Sequence, residues 1–299
     1  VARVYFLICI FLMLPLIAGC DERENTFPEV NGERAYSHLL EQCDMGPRYP
    51  GSPGHEQLIE YIRSFLAERV DSLRLDMFTR TDSAGNEYNL TNIVGMFRPA
   101  HQARVLLCCH FDTRPVSDEA PDSTDRRIPV PGANDGASGV AILMEIAELF
   151  HQRTPRRGWS TWSFFDGEDN PAEMLLGSQQ YAEQNRTYRP LFGVLVDMVG
   201  DADLNIKKEQ YSNMVAPEVV GRVWRKAVSL GYSDVFLPEV GYAIIDDHIP
   251  LLKSGIRCID IIDLDYQYWH TPQDTPDKCS PRSLEIVSSV LVSLIYDLR

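Results

Sequence analysis

Basic charge is scarce in this chain. Lys and Arg number 28 against 43 Asp and Glu in 299 residues, a formal net charge of −15. Such a surface repels a phosphate backbone instead of displacing its counterions, which excludes nucleic acid as an ordinary partner. Paired thiolates are lacking as well: the seven cysteines form no Cys-x-x-Cys, so neither a disulfide scaffold nor a thiolate zinc site is indicated. Repeats and low-complexity tracts are missing, and 44% hydrophobic with 24% charged residues excludes disorder, collagen and coiled coil. Long apolar runs occur once, at residues 4–18, and that run is interrupted by Pro15.

That run falls short of the ~20 residues that cross a bilayer as a helix. It follows Arg3 and ends at Ile17-Ala18-Gly19-Cys20, after which Asp21-Glu22 turns the composition polar. Residues 1–19 therefore read as a secretory signal peptide. Its end resembles the lipobox of bacterial lipoproteins, which implies lipidation of Cys20 and an exported protein anchored by lipid to a bacterial cell membrane, on its periplasmic or outer face. An ordinary cleaved signal or an anchor helix is the alternative. Residues 20–30 carry no apolar period and read as a flexible tether, leaving 31–299 as one domain.

Within that domain, helical spacing of apolar residues predicts helices over 31–43, 55–70, 136–150, 177–183, 217–230 and 280–298. Residues 72–80 and 89–97 flank the turn Asp82-Ser83-Ala84-Gly85-Asn86 and read as a hairpin. Residues 103–109, 159–165, 191–196 and 257–262 are apolar without alternation, as expected of strands covered on both faces. Strands alternating with helices predict an α/β fold, a mixed, mostly parallel central sheet with helices on both faces.

Ligand sites in open α/β sheets lie beyond the carboxyl ends of the strands. Those positions hold His110-Phe111-Asp112, Asp166-Gly167-Glu168-Asp169 and Asp197, joined by Asn134-Asp135-Gly136 before a helix and Trp269-His270-Thr271 after the last strand. Carboxylates and imidazoles without thiolate suit catalytic zinc with an open coordination position. A carboxylate beside the metal can then act as general base, and Glu168-Asp169 fits that division, one residue ligating while its neighbour faces the reacting atoms. Asp112 is placed to accept the second N–H of His110. Singly, each has a plainer reading: surface chemistry for His-x-Asp, a solvated turn for Glu168-Asp169, a helix cap for Asp135. Together, carboxylates gathered at one sheet edge would repel one another without a cation.

These segments, with Gly132-Ala133-Asn134-Asp135-Gly136-Ala137-Ser138-Gly139, Phe164-Phe165-Asp166-Gly167-Glu168-Asp169 and Val196-Asp197-Met198, resemble the ordered motifs of the zinc aminopeptidase superfamily that includes the glutaminyl-peptide cyclotransferases. The resemblance runs from about residue 31 to the end and implies a zinc aminopeptidase-like fold. For two-zinc aminopeptidases it implies His110, bridging Asp135, Asp169, Asp197 and His270 as ligands. For the cyclotransferases it implies one zinc on Asp135, Asp169 and His270, with His110 and Asp197 completing a second metal position only in the aminopeptidase case. Glu168 is the base in both.

Asp246-Asp247-His248-Ile249-Pro250 is similar to the cyclotransferase branch, where the first Asp hydrogen-bonds near the base, and so is Trp269, a flat wall for a glutamine side chain. Singly, a capping Asp246 or a packed Trp269 would be structural. Asp169 departs from the more usual Glu and is one methylene shorter, so the metal would sit closer to that strand. Cys108-Cys109 faces Val140, so the disulfide of some animal cyclotransferases is not expected. The resemblance implies that Glu168, Asp246 and Asp197 handle protons while N-terminal glutamine of a peptide or protein closes to pyroglutamate with release of ammonia. Zinc aminopeptidase activity is the alternative, and a metal-free binding lipoprotein on the same fold a third reading.

Overall fold

Three runs of the chain are buried at every residue, Arg104–His110, Phe192–Asp197 and Cys258–Ile262. Burial without alternation is what a strand flanked by helices on both faces requires. In the computed structural model, which describes residues 27–81, 85–101, 103–155, 159–167 and 174–298, these runs are strands β3, β5 and β8. The leader, Cys20 and most of the tether lie outside the described residues.

The remaining strands are β1 (Ser72–Thr81), β2 (Glu87–Met96), β4 (Trp159–Phe165), β6 (Ile206–Lys208) and β7 (Phe236–Val240). Among the described residues the main sheet has six strands in the order β1-β2-β4-β3-β5-β8. The β1–β2 hairpin and the β2–β4 pair are antiparallel. From β4 onward every pairing is parallel, with His110 opposite Phe165, Cys108 opposite Leu195 and Asp197 opposite Ile262. The carboxyl ends of β4, β3, β5 and β8 therefore emerge along one edge, which gathers the residues that follow them.

The helices are α1 (Gly32–Asp44), α2 (Pro53–Ala67), α3 (Ala137–Gln152), α4 (Leu176–Gln184), α5 (Gln210–Val215), α6 (Pro217–Ser229), α7 (His248–Lys253) and α8 (Pro281–Tyr296). Alternate strand residues divide between two cores. Leu107, Val194 and Ile259 pack with Val140 and Met144 of α3 and Val287 and Leu291 of α8. Leu106, Cys108 and Leu195 pack with Tyr181 of α4 and Leu251 of α7 on the opposite face. Apolar area buried on both faces, at about 25 cal/mol per Å², is the main stabilising contribution of such an architecture. The cysteines among the described residues, Cys43, Cys108, Cys109, Cys258 and Cys279, are free thiols. Among the described residues no helix is long and apolar enough to cross a membrane.

The start of α3 is pressed against the strand ends. A Cβ added to Gly139 would lie 2.6 Å from the Val196 carbonyl oxygen and 2.8 Å from Cys109 Cβ, so only glycine lets the helix approach β3 and β5 this closely. Gly136 caps the helix at φ +100, with space for a Cβ only 2.8 Å from the Asp112 carbonyl oxygen. Asp135 is thereby freed from capping and directed toward the strand ends.

Candidate active site

Four of the residues anticipated from the sequence meet at this edge. His110 Nε2, at the end of β3, lies 3.1 Å from Asp197 Oδ1 and 3.2 Å from Asp135 Oδ1. The other oxygen of Asp135, Oδ2, is 3.4 Å from His270 Nε2. Asp135 thus stands between two imidazoles, one facing each carboxylate oxygen. Burial disfavours an imidazolium at His110, but the accepting carboxylates of Asp135 and Asp197 and the nearby Asp112 charge outweigh it and raise its pKa well above the usual range.

An imidazole nitrogen offers one proton at most, so two carboxylates converging on His110 Nε2 cannot both be satisfied by it. His110, Asp135 and Asp197 present donor atoms within 4.8 Å of one another. Nitrogen and oxygen donors of this kind fit zinc, and a cation there would relieve the repulsion. Glu168 and Asp169 lie outside the described residues. Asp166, just before them, is buried and anchored: it accepts from His55 Nε2 at 2.8 Å and from the Thr91 N–H at 2.6 Å. The Asp166 carboxylate also raises the pKa of His55 against the opposing effect of burial.

One expectation is corrected. The Asp112 carboxylate is 3.9 Å from His110 Nδ1, whereas its own backbone carbonyl oxygen is at 3.2 Å. The chain turns directly after β3, which brings the main chain of Asp112 rather than its side chain under the ring. The carbonyl can fix the tautomer in the same way.

Two supports went unanticipated. Asp274 accepts from the backbone N–H groups of Asn134 at 2.8 Å and Asp135 at 3.1 Å, and from the Tyr266 hydroxyl at 2.7 Å. Arg48, fully buried, donates to the carbonyls of Pro131 at 2.8 Å and Gly132 at 2.5 Å. The loop bearing Asp135 is thus pinned from both sides. Isolated Asp and Arg residues in turn-rich segments give no sequence signal for such a role; only the tertiary hydrogen bonds reveal it.

Behind Asp197 lies a second buried group, Asp246, His248 and Asp260, with donor atoms again within 4.8 Å of one another. Burial, reinforced by the nearby Asp197 charge, pushes the Asp246 carboxyl up to about 6. Asp247 and Asp260 are raised well above the usual range by burial and by the charge of Asp246. Glu209 is the exception. Burial would raise it, but His248 and the N–H groups of Ser212 and Ile244 hold it down at about 2. At the mouth, Trp269 is 37% exposed and its ring stacks on His270 with centroids 4.0 Å apart.

Residues 92–295 match the model of peptidase family M28. The chain belongs to that family. Glutaminyl-peptide cyclotransferase of Bos taurus is 25% identical over 305 residues, spanning 86% of this chain and 81% of the bovine one. Among solved structures, glutaminyl cyclase of Tannerella forsythia superposes with a TM-score of 0.86 at 34% identity, covering 91% of this chain and 100% of its own. A Zn-dependent exopeptidase of Parabacteroides distasonis is equally similar, with a TM-score of 0.87 at 33% identity and coverage of 91% and 99%. This chain is thus an M28 enzyme with both cyclases and exopeptidases among its structural neighbours.

Proposed function

We propose that this M28 enzyme is a zinc-dependent glutaminyl-peptide cyclotransferase, converting N-terminal glutamine of peptides or proteins to pyroglutamate with release of ammonia. The supporting observation is the placement of a buried Asp246 carboxyl beside Asp197, raised to about 6, with the Trp269 ring stacked on His270. Cyclisation consumes no water and returns a proton to the departing nitrogen. It therefore benefits from carboxyl groups that exchange protons near neutral pH.

Asp135, Asp169 and His270 would hold one zinc ion, which when bound supplies Lewis-acid polarisation of the carboxamide oxygen. Trp269 offers a flat wall for the glutamine side chain and reduces the access of water. Glu168 takes a proton from the α-amine as its nitrogen bonds to the side-chain carboxamide carbon. The same carboxyl returns the proton to the carboxamide nitrogen as the C–N bond breaks and ammonia leaves. Asp197 and Asp246 keep neighbouring protons in place. Both reacting groups belong to one residue, so orientation supplies much of the acceleration. The leader motif supports export and lipid anchoring through Cys20 as part of this proposal.

A second reading, zinc aminopeptidase, is favoured by the two-sided contact of Asp135 with His110 and His270, a disposition suited to bridging two ions. There Glu168 would activate water, and the α-amine would be held instead of attacking. Incubation with Gln-peptide and Leu-peptide substrates separates the two. Ammonia from the first and no free amino acid from either supports cyclisation, whereas free leucine supports the peptidase.

A further inference from the structure

His270 has a φ of +53, in the left-handed region that residues with side chains rarely adopt. One short segment after β3 grips it at two points. The Glu119 N–H donates to the His270 carbonyl oxygen at 3.3 Å, and Asp118 Oδ1 lies 3.4 Å from His270 Nδ1. The carboxylate, itself half-buried, is paired with the buried Arg114 guanidinium: Nη2 donates to Oδ2 at 3.2 Å, and Nε stands 2.9 Å from Oδ1 as an ion pair outside hydrogen-bond geometry. On the far side of the ring, Nε2 faces Asp135.

We propose that Asp118, oriented by Arg114, is a positioning residue that fixes His270 as an Nε2 metal donor; this rests on the reading of His270 as a zinc ligand. A neutral imidazole carries one N–H, and a carboxylate behind Nδ1 selects the tautomer with the proton there. The lone pair on Nε2 is then directed at the ion and made more basic. The charge-assisted hydrogen bond from Arg114 Nη2 holds Asp118 on the Nδ1 side of the ring. Trp269, stacked on the other face, limits ring rotation from that side. Asp118 touches neither substrate nor metal in this role and acts only through His270.

The test is zinc affinity, measured by competition with a chromogenic chelator on the full domain, together with the visible absorption spectrum of the cobalt-substituted protein. Asp118→Asn keeps an acceptor and removes its charge, and should weaken zinc binding by about tenfold; Arg114→Leu with Asp118→Leu removes the whole brace without leaving a buried cation and should weaken it by about a hundredfold. In both variants the cobalt spectrum should change. His270→Ala serves as reference. If His270→Ala loses zinc but both brace variants bind as tightly as the parent, the role of Asp118 is overturned and the ligand assignment stands. If His270→Ala itself binds zinc normally, the ligand assignment fails and the brace falls with it.

Discussion

Two buried acidic regions lie side by side in this molecule and are built oppositely. Around Asp135 the loop backbone and the carboxylates are partnered, with Arg48 Nε and Asn134 Nδ2 left over: Asp274 takes two backbone N–H groups and a hydroxyl, Arg48 covers the preceding carbonyls, and the carboxylate of Asp135 meets an imidazole on each side. Behind Asp197, Asp246 Oδ2 and both oxygens of Asp247 and of Asp260 are buried without well-formed hydrogen bonds. The first region fixes geometry, as metal coordination demands. In the second, uncompensated desolvation raises the carboxyl pKa values. Division of an acidic site into a rigid cradle and a proton reservoir suits the proposed cyclisation at a metal.

The largest expected effect comes from breaking the cradle at its centre. Asp135→Asn removes the charge facing both imidazoles and should abolish stoichiometric zinc, with turnover of a Gln-peptide falling by about a thousandfold, several kcal/mol of lost charge stabilisation. Metal analysis alongside ammonia release checks both parts.

Asp246→Asn probes the reservoir and should leave zinc in place while lowering kcat by about a hundredfold. It should also stabilise the metal-free protein at neutral pH. The folded pKa of Asp246, about 6, lies above the usual carboxylate value, so on raising pH the unfolded chain releases its proton first. Folding is penalised progressively between roughly pH 4 and 6 and fully above that, a cost of roughly 2–3 kcal/mol that the amide avoids. Chemical denaturation at pH 7.5 should therefore show the variant more stable than the parent, with the difference vanishing below about pH 4.

Asp274→Ala sharpens the contrast from the cradle side. Two backbone N–H groups lose their acceptor, so the protein should lose about 2–4 kcal/mol and bind zinc more weakly. Retention of parental affinity would show that the Asp135 loop holds its shape unaided. The smallest effect is expected at the mouth: Trp269→Leu, at a partly exposed position, should raise KM about tenfold with kcat little changed.

Much of this arrangement was legible before any coordinates. Apolar runs without alternation located β3, β4, β5 and β8, and the residues that end β3 and β5, His110 and Asp197, meet because parallel strands deliver their carboxyl ends to one edge. Short elements were not legible. The strands β6 and β7 and the helices α5 and α7 are too brief to show a period. His110, Asp135, Asp197 and His270 could be named because each lies in a recognisable motif, the first three at element boundaries and His270 in the loop after β8. Arg48, Asp274 and the proposed brace Asp118 could not, since their contacts run across long stretches of sequence. The Asp112 carboxylate was misjudged for a local reason, a turn that presents its backbone instead.

Glutamine at position 168 provides the most direct measurement. Zinc-loaded Glu168→Gln, incubated with a peptide bearing N-terminal glutamine, should retain its metal and release no ammonia above the uncatalysed rate. Ammonia release at the parental rate from that variant would contradict the assignment of Glu168 as the group that moves the proton.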